Sequence, residues 1–82
     1  DGLLAKLSFE DSCTAEAVIS DVSKKYDVKL NIILANVEAI GTRVLGEMVV
    51  IISGEKSEIE KATAYLKSLG VGIEVLTDAG HN

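Results

Sequence analysis

The residues whose side chains could perform covalent or acid–base chemistry are few and lie far apart. Cys13 precedes a segment of helical periodicity, where a helix N-terminus would stabilise a thiolate, but the single histidine, His81, stands near the other end of the chain. A lone cysteine without a nearby base is more often a small buried apolar residue than a nucleophile. The acidic residues are scattered, and none has metal-ligand spacing with a His or Cys. We therefore predict no catalytic residues and no metal site.

Two glycine-containing segments superficially resemble phosphate-binding motifs. Gly54-Glu55-Lys56-Ser57 ends like a P-loop, but a glutamate stands before the lysine where that motif requires glycine. Gly70-Val71-Gly72 leads into a strand, whereas a dinucleotide-binding fingerprint leads into a helix. We interpret both segments as turns.

Two asparagines within an aliphatic stretch are candidate binding residues. The Asn31 amide offers two donors and one acceptor to a ligand, although an exposed asparagine at a strand edge is the explanation that the residues alone favour. Asn36 allows the same ligand interpretation, with a position in a β-bulge as its alternative. Gly41 and Gly46 either accommodate the backbone or leave space for a ligand beside a strand.

The composition excludes several classes of partner. Hydrophobic residues make up 48% of the 82 residues, proline is absent, and Phe9, Tyr26 and Tyr65 are the only aromatic residues. A net charge of −5 and so few aromatic rings provide neither a basic surface nor a stacking platform, so we expect no nucleic-acid partner. One cysteine excludes an intramolecular disulfide and fits a reducing compartment. No apolar run is long enough to cross a bilayer.

The first half of the chain alternates between strand and helix patterns. Apolar residues at every second position predict a strand from Leu3 to Phe9, and Ser12 or Thr14 could cap a helix that ends at Tyr26. A long β-rich stretch then begins at Val28. Its apolar residues shift from even-numbered to odd-numbered positions, which predicts a bulge near Ala35 and Asn36. A glycine-centred turn at 39–43 leads to a strand over 44–53, which is apolar on both faces and therefore central.

The second half contains one more helix and one more strand. Ser57 and Glu60 have the spacing of a capping box at a helix N-terminus, and Gly70 stands where a left-handed C-cap belongs. A short strand over 71–75 follows, and we expect residues 77–82 to form a flexible tail.

This order, β-α-β-β-α-β, predicts an α+β, ferredoxin-like split βαβ fold with a four-stranded antiparallel sheet and two helices on one face. We predict a single domain over 1–82 with its core at 3–76. The chain begins with Asp1, so we expect it to be a fragment of a longer protein.

Two helices cover only one face of such a sheet, which leaves an apolar surface to be explained. If Val50 and Ile52 face the helices, Val49 and Ile51 face away, and Ile33 is a candidate to join them. Exposed apolar patches of this kind usually mark an interface. Either loops or a neighbouring domain cover the patch, or two copies pair through the sheet with a ligand pocket at the join.

Several segments of the chain resemble the NIL domain, which is found at the C-terminus of the ATP-binding subunits of bacterial methionine-import ABC transporters. The family is named after an Asn-Ile-Leu tripeptide, and this chain has Asn31-Ile32-Ile33 in that place. The resemblance extends from Leu3 to Leu76. The other similar segments are Leu7-Ser8-Phe9-Glu10, Val18-Ile19-Ser20, 37–46, Ala64-Tyr65-Leu66, Gly70-Val71 and Ile73-Glu74-Val75-Leu76.

The resemblance implies an ACT-like regulatory domain that forms a homodimer and binds L-methionine, so that the internal product inhibits its own uptake. By this resemblance Asn31 binds the ligand, and Ile33, Val37 and Met48 are candidates for the pocket around its thioether. ATP and Mg²⁺ are expected only in an ATPase domain outside this chain. The implied partners are that domain and a membrane permease, at the cytoplasmic side of the cell membrane.

Two other classes of function stay open at this point. A ligand-free dimerisation module would have a dry, filled interface and would not respond to amino acids. A small enzyme of the ferredoxin-like superfamily would need a catalytic base in a cleft, and neither His81 nor a pair of carboxylates provides one.

Overall fold

The predicted element order is confirmed in the computed structural model, which describes residues 2–10 and 15–78. These residues form four strands and two helices: β1 (Gly2–Phe9), α1 (Ala15–Lys25), β2 (Val28–Ile40), β3 (Arg43–Gly54), α2 (Lys56–Ser68) and β4 (Gly72–Asp78). The segment 11–14, with Ser12, Cys13 and Thr14, lies outside the described residues, as does His81.

The strands form one antiparallel sheet in the order β2-β3-β1-β4, so β3 is central as its two apolar faces predicted. Val50 and Ile52 of β3 are fully buried beneath the helices. The buried aliphatic residues alternate along the strands and recur at helical spacing, which places the core between the sheet and the helices. Its largest fully buried side chains are Leu7, Ile52, Leu66, Val22 and Val50.

The predicted capping box at the start of α2 is wrong. The helix begins at Lys56, so Ser57 already lies within its first turn. Glu55 is the N-cap residue in an extended conformation, makes no side-chain cap hydrogen bond, and accepts the backbone bond from Ile59 at 3.0 Å. The Ser57–Glu60 spacing fits a capping box in sequence, but the backbone turns into the helix too early for it.

The C-terminus of α2 confirms the predicted glycine cap. Gly70 has a φ of +86°, and its N–H donates to the Lys67 carbonyl at 3.0 Å. The N–H of Val71 donates to the Leu66 carbonyl at 3.1 Å, which completes a Schellman motif. The buried Val71 side chain ties this end of the helix to the core.

The β-bulge in β2 lies earlier than predicted. Ile32 pairs with Val50, but Leu34 pairs with the next residue, Val49, so Ile33 is the extra residue. The prediction near Ala35 and Asn36 was wrong because residues 32–35 are all apolar. In such a run no polar side chain shows which positions face the solvent, so the sequence does not show where the alternation changes.

The hairpin of β2 and β3 extends beyond the rest of the sheet. β1 ends its pairing with β3 where Phe9 meets Gly46, so beyond the pair of Val37 and Gly46 the two strands of the hairpin pair only with each other. We call residues 37–45 the distal hairpin. At the other edge, Thr77 and Asp78 continue β4 opposite Leu4 and Leu3, so they do not belong to the predicted tail, whose remaining residues are not described.

Candidate functional site

The sheet surface opposite the helices is formed by residues that face each other across the antiparallel strands. Directly opposed residues share one side of a sheet. Val49 and Ile51 are only partly buried, whereas their neighbours Val50 and Ile52 are fully buried under the helices, as the sequence predicted. We call the surface around Val49 and Ile51 the open face; it includes Leu4, Lys6, Asn31, Leu34, Asn36, Glu38 and Glu47.

Asn31 lies on the open face among aliphatic side chains. It pairs with Ile51 of the neighbouring strand and is exposed. Ile33 is the bulged residue and is 55% exposed, next to Leu34 at 61%. An amide surrounded by exposed aliphatic groups offers hydrogen bonds to a polar head and an apolar surface to a side chain.

The other two predicted site residues lie on the opposite side of the sheet. Met48 pairs with the buried Leu7 and packs against the core, on the same side as the helices. Val37 pairs with Gly46 on that side but belongs to the distal hairpin, where it is 63% exposed. Within one chain the structure therefore brings Asn31 and Ile33 together, but not with Val37 or Met48.

The bulge at Ile33 brings a second asparagine to the open face. Residues 29 and 31 face this side before the bulge, and residues 34, 36 and 38 face it afterwards. Asn36 thus shares the open face with Asn31 and pairs with Glu47. Sequence reasoning did not place Glu38 and Glu47 near the asparagines. The position of the bulge at Ile33 would have placed them there, because it decides which residues of β2 face the same side.

A cleft of about 410 Å³ lies at the end of the open face where the distal hairpin begins. The hairpin strands contribute Asn36, Glu38, Leu45 and Glu47, while Ser8 comes from β1 and Gly72 from β4. None of the four predicted site residues lines it. The cleft nevertheless joins polar and apolar groups in a volume that suits a small molecule.

A charged pair spans the open face between β1 and the central strand β3. Lys6 Nζ lies 3.1 Å from Glu47 Oε2, with both side chains about two-fifths exposed. The hydrogen bond with Glu47 and the charge of that carboxylate raise the pKa of Lys6 above its ordinary value of 10.5. The open face therefore carries a fixed pair of opposite charges beside an aliphatic surface, which suits a zwitterionic ligand with an apolar side chain.

Among residues 2–10 and 15–78, no group of three or more His, Cys, Asp or Glu could hold a metal ion. No helix in the same residues is long and apolar enough to cross a membrane.

Comparisons with known proteins show which family the chain is similar to. The model of the NIL domain family matches residues 3–75. The methionine import ATP-binding protein MetN 2 of Shouchella clausii is 35% identical over 77 residues, which cover 94% of this chain and 23% of that protein. MetN 1 of Oceanobacillus iheyensis is 38% identical over 76 residues, or 93% of this chain and 22% of that protein. The chain thus spans about a quarter of the length of the relatives it matches.

The solved structures include a similar domain. The crystal structure of the C-terminal domain of an ABC transporter ATP-binding protein from Enterococcus faecalis superposes with a TM-score of 0.76 at 25% identity, covering 95% of this chain and 87% of that one. The divalent cation tolerance protein CutA1 of Thermus thermophilus, at 13% identity and a TM-score of 0.53, shares the fold alone.

The family match, the relatives and the Enterococcus structure point to the same kind of domain. The family model covers most of this chain, and the similar Enterococcus domain is the C-terminal domain of an ABC transporter ATP-binding protein. The chain is a member of the NIL domain family.

Proposed function

We propose that this chain is the C-terminal regulatory domain of the ATP-binding subunit of a methionine-import ABC transporter. It acts at the cytoplasmic side of the membrane, attached to an ATPase domain that carries ATP and Mg²⁺ and is associated with a membrane permease. The family match over residues 3–75 and the methionine-import relatives support this role.

The domain binds L-methionine on the open face and so inhibits further uptake. The observation that carries this proposal is Asn31, an exposed amide opposite Ile51 with the exposed Ile33 beside it. The amide hydrogen-bonds the amino-acid head, and the aliphatic surface of Ile51 and Ile33 contacts the thioether. Val37 and Met48 lie on the other side of the sheet and do not reach this ligand within the same chain.

Regulation requires a second copy. Two domains pair through their sheets, and methionine binds one arrangement of the two better than another, with a coupling of ~1–3 kcal/mol. Burial of the apolar part of the open face at the join excludes water from the ligand.

Isothermal titration calorimetry of the chain with L-methionine tests the ligand. L-leucine and D-methionine test side-chain and stereochemical selectivity, and Asn31→Ala removes the proposed head-group contact. We expect saturable heat for L-methionine that Asn31→Ala abolishes. The control variant Lys24→Ala, at an exposed position on α1, should bind as the wild type does.

A ligand-free dimerisation module is the second candidate, favoured by the row of exposed aliphatic residues along β2. Its exposed residues are Ile32, Ile33, Leu34, Val37 and Ile40. A folded dimer that gives no heat with any of the three amino acids would establish this candidate and contradict the methionine site.

A further inference from the structure

The cleft at the base of the distal hairpin is built on one row of residues that crosses all four strands. Asn36 of β2 lies opposite Glu47 of β3, and Glu47 lies opposite Ser8 of β1. Ser8 in turn lies opposite Gly72 of β4. Directly opposed residues share one side of the sheet, and neighbouring strands lie roughly 4.8 Å apart. All four residues line the cleft of about 410 Å³, so the register of the sheet determines its floor.

Three oxygen acceptors lie close together at the β2 end of this row. The Asn36 amide provides one, and the carboxylate of Glu47, directly opposite, provides the second. The carboxylate of Glu38, two positions further along β2 on the same side, provides the third. Glu38 is exposed and makes no ion pair or side-chain hydrogen bond within residues 2–10 and 15–78. Its carboxylate is therefore available to a ligand.

The charge of the cleft favours a cation. Among the described residues that line it there is no lysine, arginine or histidine. Lys6 lies nearby on the open face, 3.1 Å from Glu47, and so compensates the charge of that carboxylate. The charge of Glu38 has no such partner in the described part of the chain. A cation in the cleft would be attracted to Glu38, whereas a ligand with its own carboxylate would be repelled.

The cleft also has an apolar wall and open space. Leu45 lies opposite Glu38 and is only half-buried, so its side chain can contact an aliphatic group. Gly72 contributes no side chain, and a Cβ there would lie 3.4 Å from the Cβ of Ser8. Such a volume, with a few polar groups beside an apolar wall, suits a short alkyl chain with a polar head.

We propose that this cleft binds a small primary alkylammonium ion that carries no carboxylate. A primary ammonium group has three N–H donors, which match the oxygens of Asn36, Glu38 and Glu47. The alkyl chain lies along Leu45. The site is separate from the methionine site at Asn31, which does not line the cleft. A free amino acid would bring its carboxylate beside that of Glu38, so the cleft selects amines over amino acids.

Two probes with the same side chain test this selectivity. The amine 3-(methylthio)propylamine is methionine without its carboxylate, and ¹⁵N NMR titration of the chain with each compound measures binding at the cleft. We expect the amine to cause saturable shifts of the Ser8, Asn36 and Gly72 amide signals. L-Methionine should bind the cleft roughly fivefold more weakly or worse. The N,N,N-trimethyl derivative of the amine keeps the charge but has no N–H donor, and should also bind more weakly.

Glu38→Gln tests the charge that carries the proposal. It removes the uncompensated carboxylate at an exposed position and should raise the dissociation constant of the amine roughly fivefold. Glu60→Gln makes the same change at an exposed position on α2 and should leave amine binding unchanged. Added salt should weaken amine binding to the wild type more than to Glu38→Gln, because salt screens the charge that the variant lacks.

Gly72→Ala tests the position of the ligand without a change of charge. Gly72 does not have a positive φ, so alanine suits its backbone. The added methyl group lies beside Ser8 and occupies space in the cleft. We expect weaker amine binding by a chain whose circular dichroism spectrum matches that of the wild type.

The absence of saturable shifts with the amine would overturn the proposal, and so would unchanged amine binding by Glu38→Gln. Equal dissociation constants for the amine and L-methionine at the cleft would also overturn it. Asn31→Ala shows whether the two sites are separate. This variant should bind the amine as the wild type does, and loss of amine binding would show that the cleft is not an independent site.

Discussion

The backbone N–H of Asp27 donates a hydrogen bond of 3.0 Å to Oε1 of Glu58. Asp27 lies between α1 and β2, and Glu58 lies in the first turn of α2, so one carboxylate joins the two halves of the fold. The other oxygen, Oε2, accepts from Lys61 Nζ at 3.2 Å. The hydrogen bond from Asp27 and then that from Lys61 lower the pKa of Glu58 below its ordinary value of 4.5.

A lowered pKa in the folded state makes stability depend on pH in a known direction. The contribution of Glu58 is complete above its unfolded pKa and is lost as the pH falls through its folded pKa. Glu58→Gln should therefore lose less stability between neutral and acidic pH than the wild type, as measured by urea unfolding at a series of pH values. Equal pH profiles for Glu58→Gln and the wild type would contradict the prediction.

Gly54 has no room for a side chain. Its φ is +150°, and a Cβ there would lie 2.8 Å from the backbone oxygen of Asp27. Gly54→Ala should reduce the free energy of unfolding by about 2 kcal/mol or more. The cost of the backbone strain and the cost of the close contact with the Asp27 oxygen add together.

Gly41 provides the matched control for that substitution. It also has a positive φ, +64°, but a Cβ there would meet nothing within 4 Å. Gly41→Ala should cost about 1 kcal/mol from strain alone. Urea unfolding curves of both variants measure the difference, and equal losses would show that the contact with Asp27 relaxes freely.

Two leucines near the end of α2 should differ strongly in their effect on stability. Leu66 is fully buried, whereas Leu69 is 49% exposed. Leu66→Ala should cost about 2–5 kcal/mol because it leaves a cavity between helix and sheet. Leu69→Ala should cost less than about 1 kcal/mol. A thermal or chemical unfolding experiment with the same loss for both would contradict the placement of the core.

Tyr65 connects the two helices through its hydroxyl group. It donates to Oδ2 of Asp21 and accepts from Nζ of Lys25, the latter at 3.1 Å. That bond to Tyr65 raises the pKa of Lys25 above its ordinary value. Tyr65→Phe should cost about 1 kcal/mol, since the hydrogen bond to Asp21 is partly buried.

The neighbouring tyrosine serves as the control for Tyr65→Phe. The Tyr26 ring packs against that of Tyr65 with centroids 5.7 Å apart, but its hydroxyl makes no hydrogen bond in the described part of the chain. Tyr26→Phe keeps the ring contact and should change the free energy of unfolding by less than about 0.5 kcal/mol. If the two substitutions cost the same, the hydroxyl of Tyr65 does not stabilise the helix pair.

Most of the fold could be predicted because its signals are local. Alternation in β1, the doubly apolar β3 and the glycine after α2 each determine a structure over a few residues. The start of α2 could not be predicted in this way, since Ser57–Glu60 has the spacing of a cap in sequence alone. Glu58 in the first turn accepts a hydrogen bond from Asp27, 31 positions away, and a contact at that distance along the chain leaves no local sequence signal.

The candidate site was harder to predict because it depends on which face each residue occupies. Asn31 could be singled out as a polar residue in an aliphatic strand. Val37 was grouped with it, but a single extra residue at Ile33 reverses the faces of the rest of β2. Met48 was also grouped with it, but in β3 it alternates with Val49 and so faces the helices as Val50 does. An apolar run contains no residue that reports where such a reversal occurs.

The distal hairpin also has a mechanical consequence. From Gly46, where β1 ends its pairing, to the turn at Gly41, the two strands extend roughly 15 Å at about 3.3 Å per residue. A two-stranded ribbon of this length acts as a lever arm: a change of about 10° in the direction of the strands at its base moves the tip by roughly 2–3 Å. A rotation of that size at the base would thus displace Gly41 by a distance comparable to the difference between contact and separation from a neighbouring molecule.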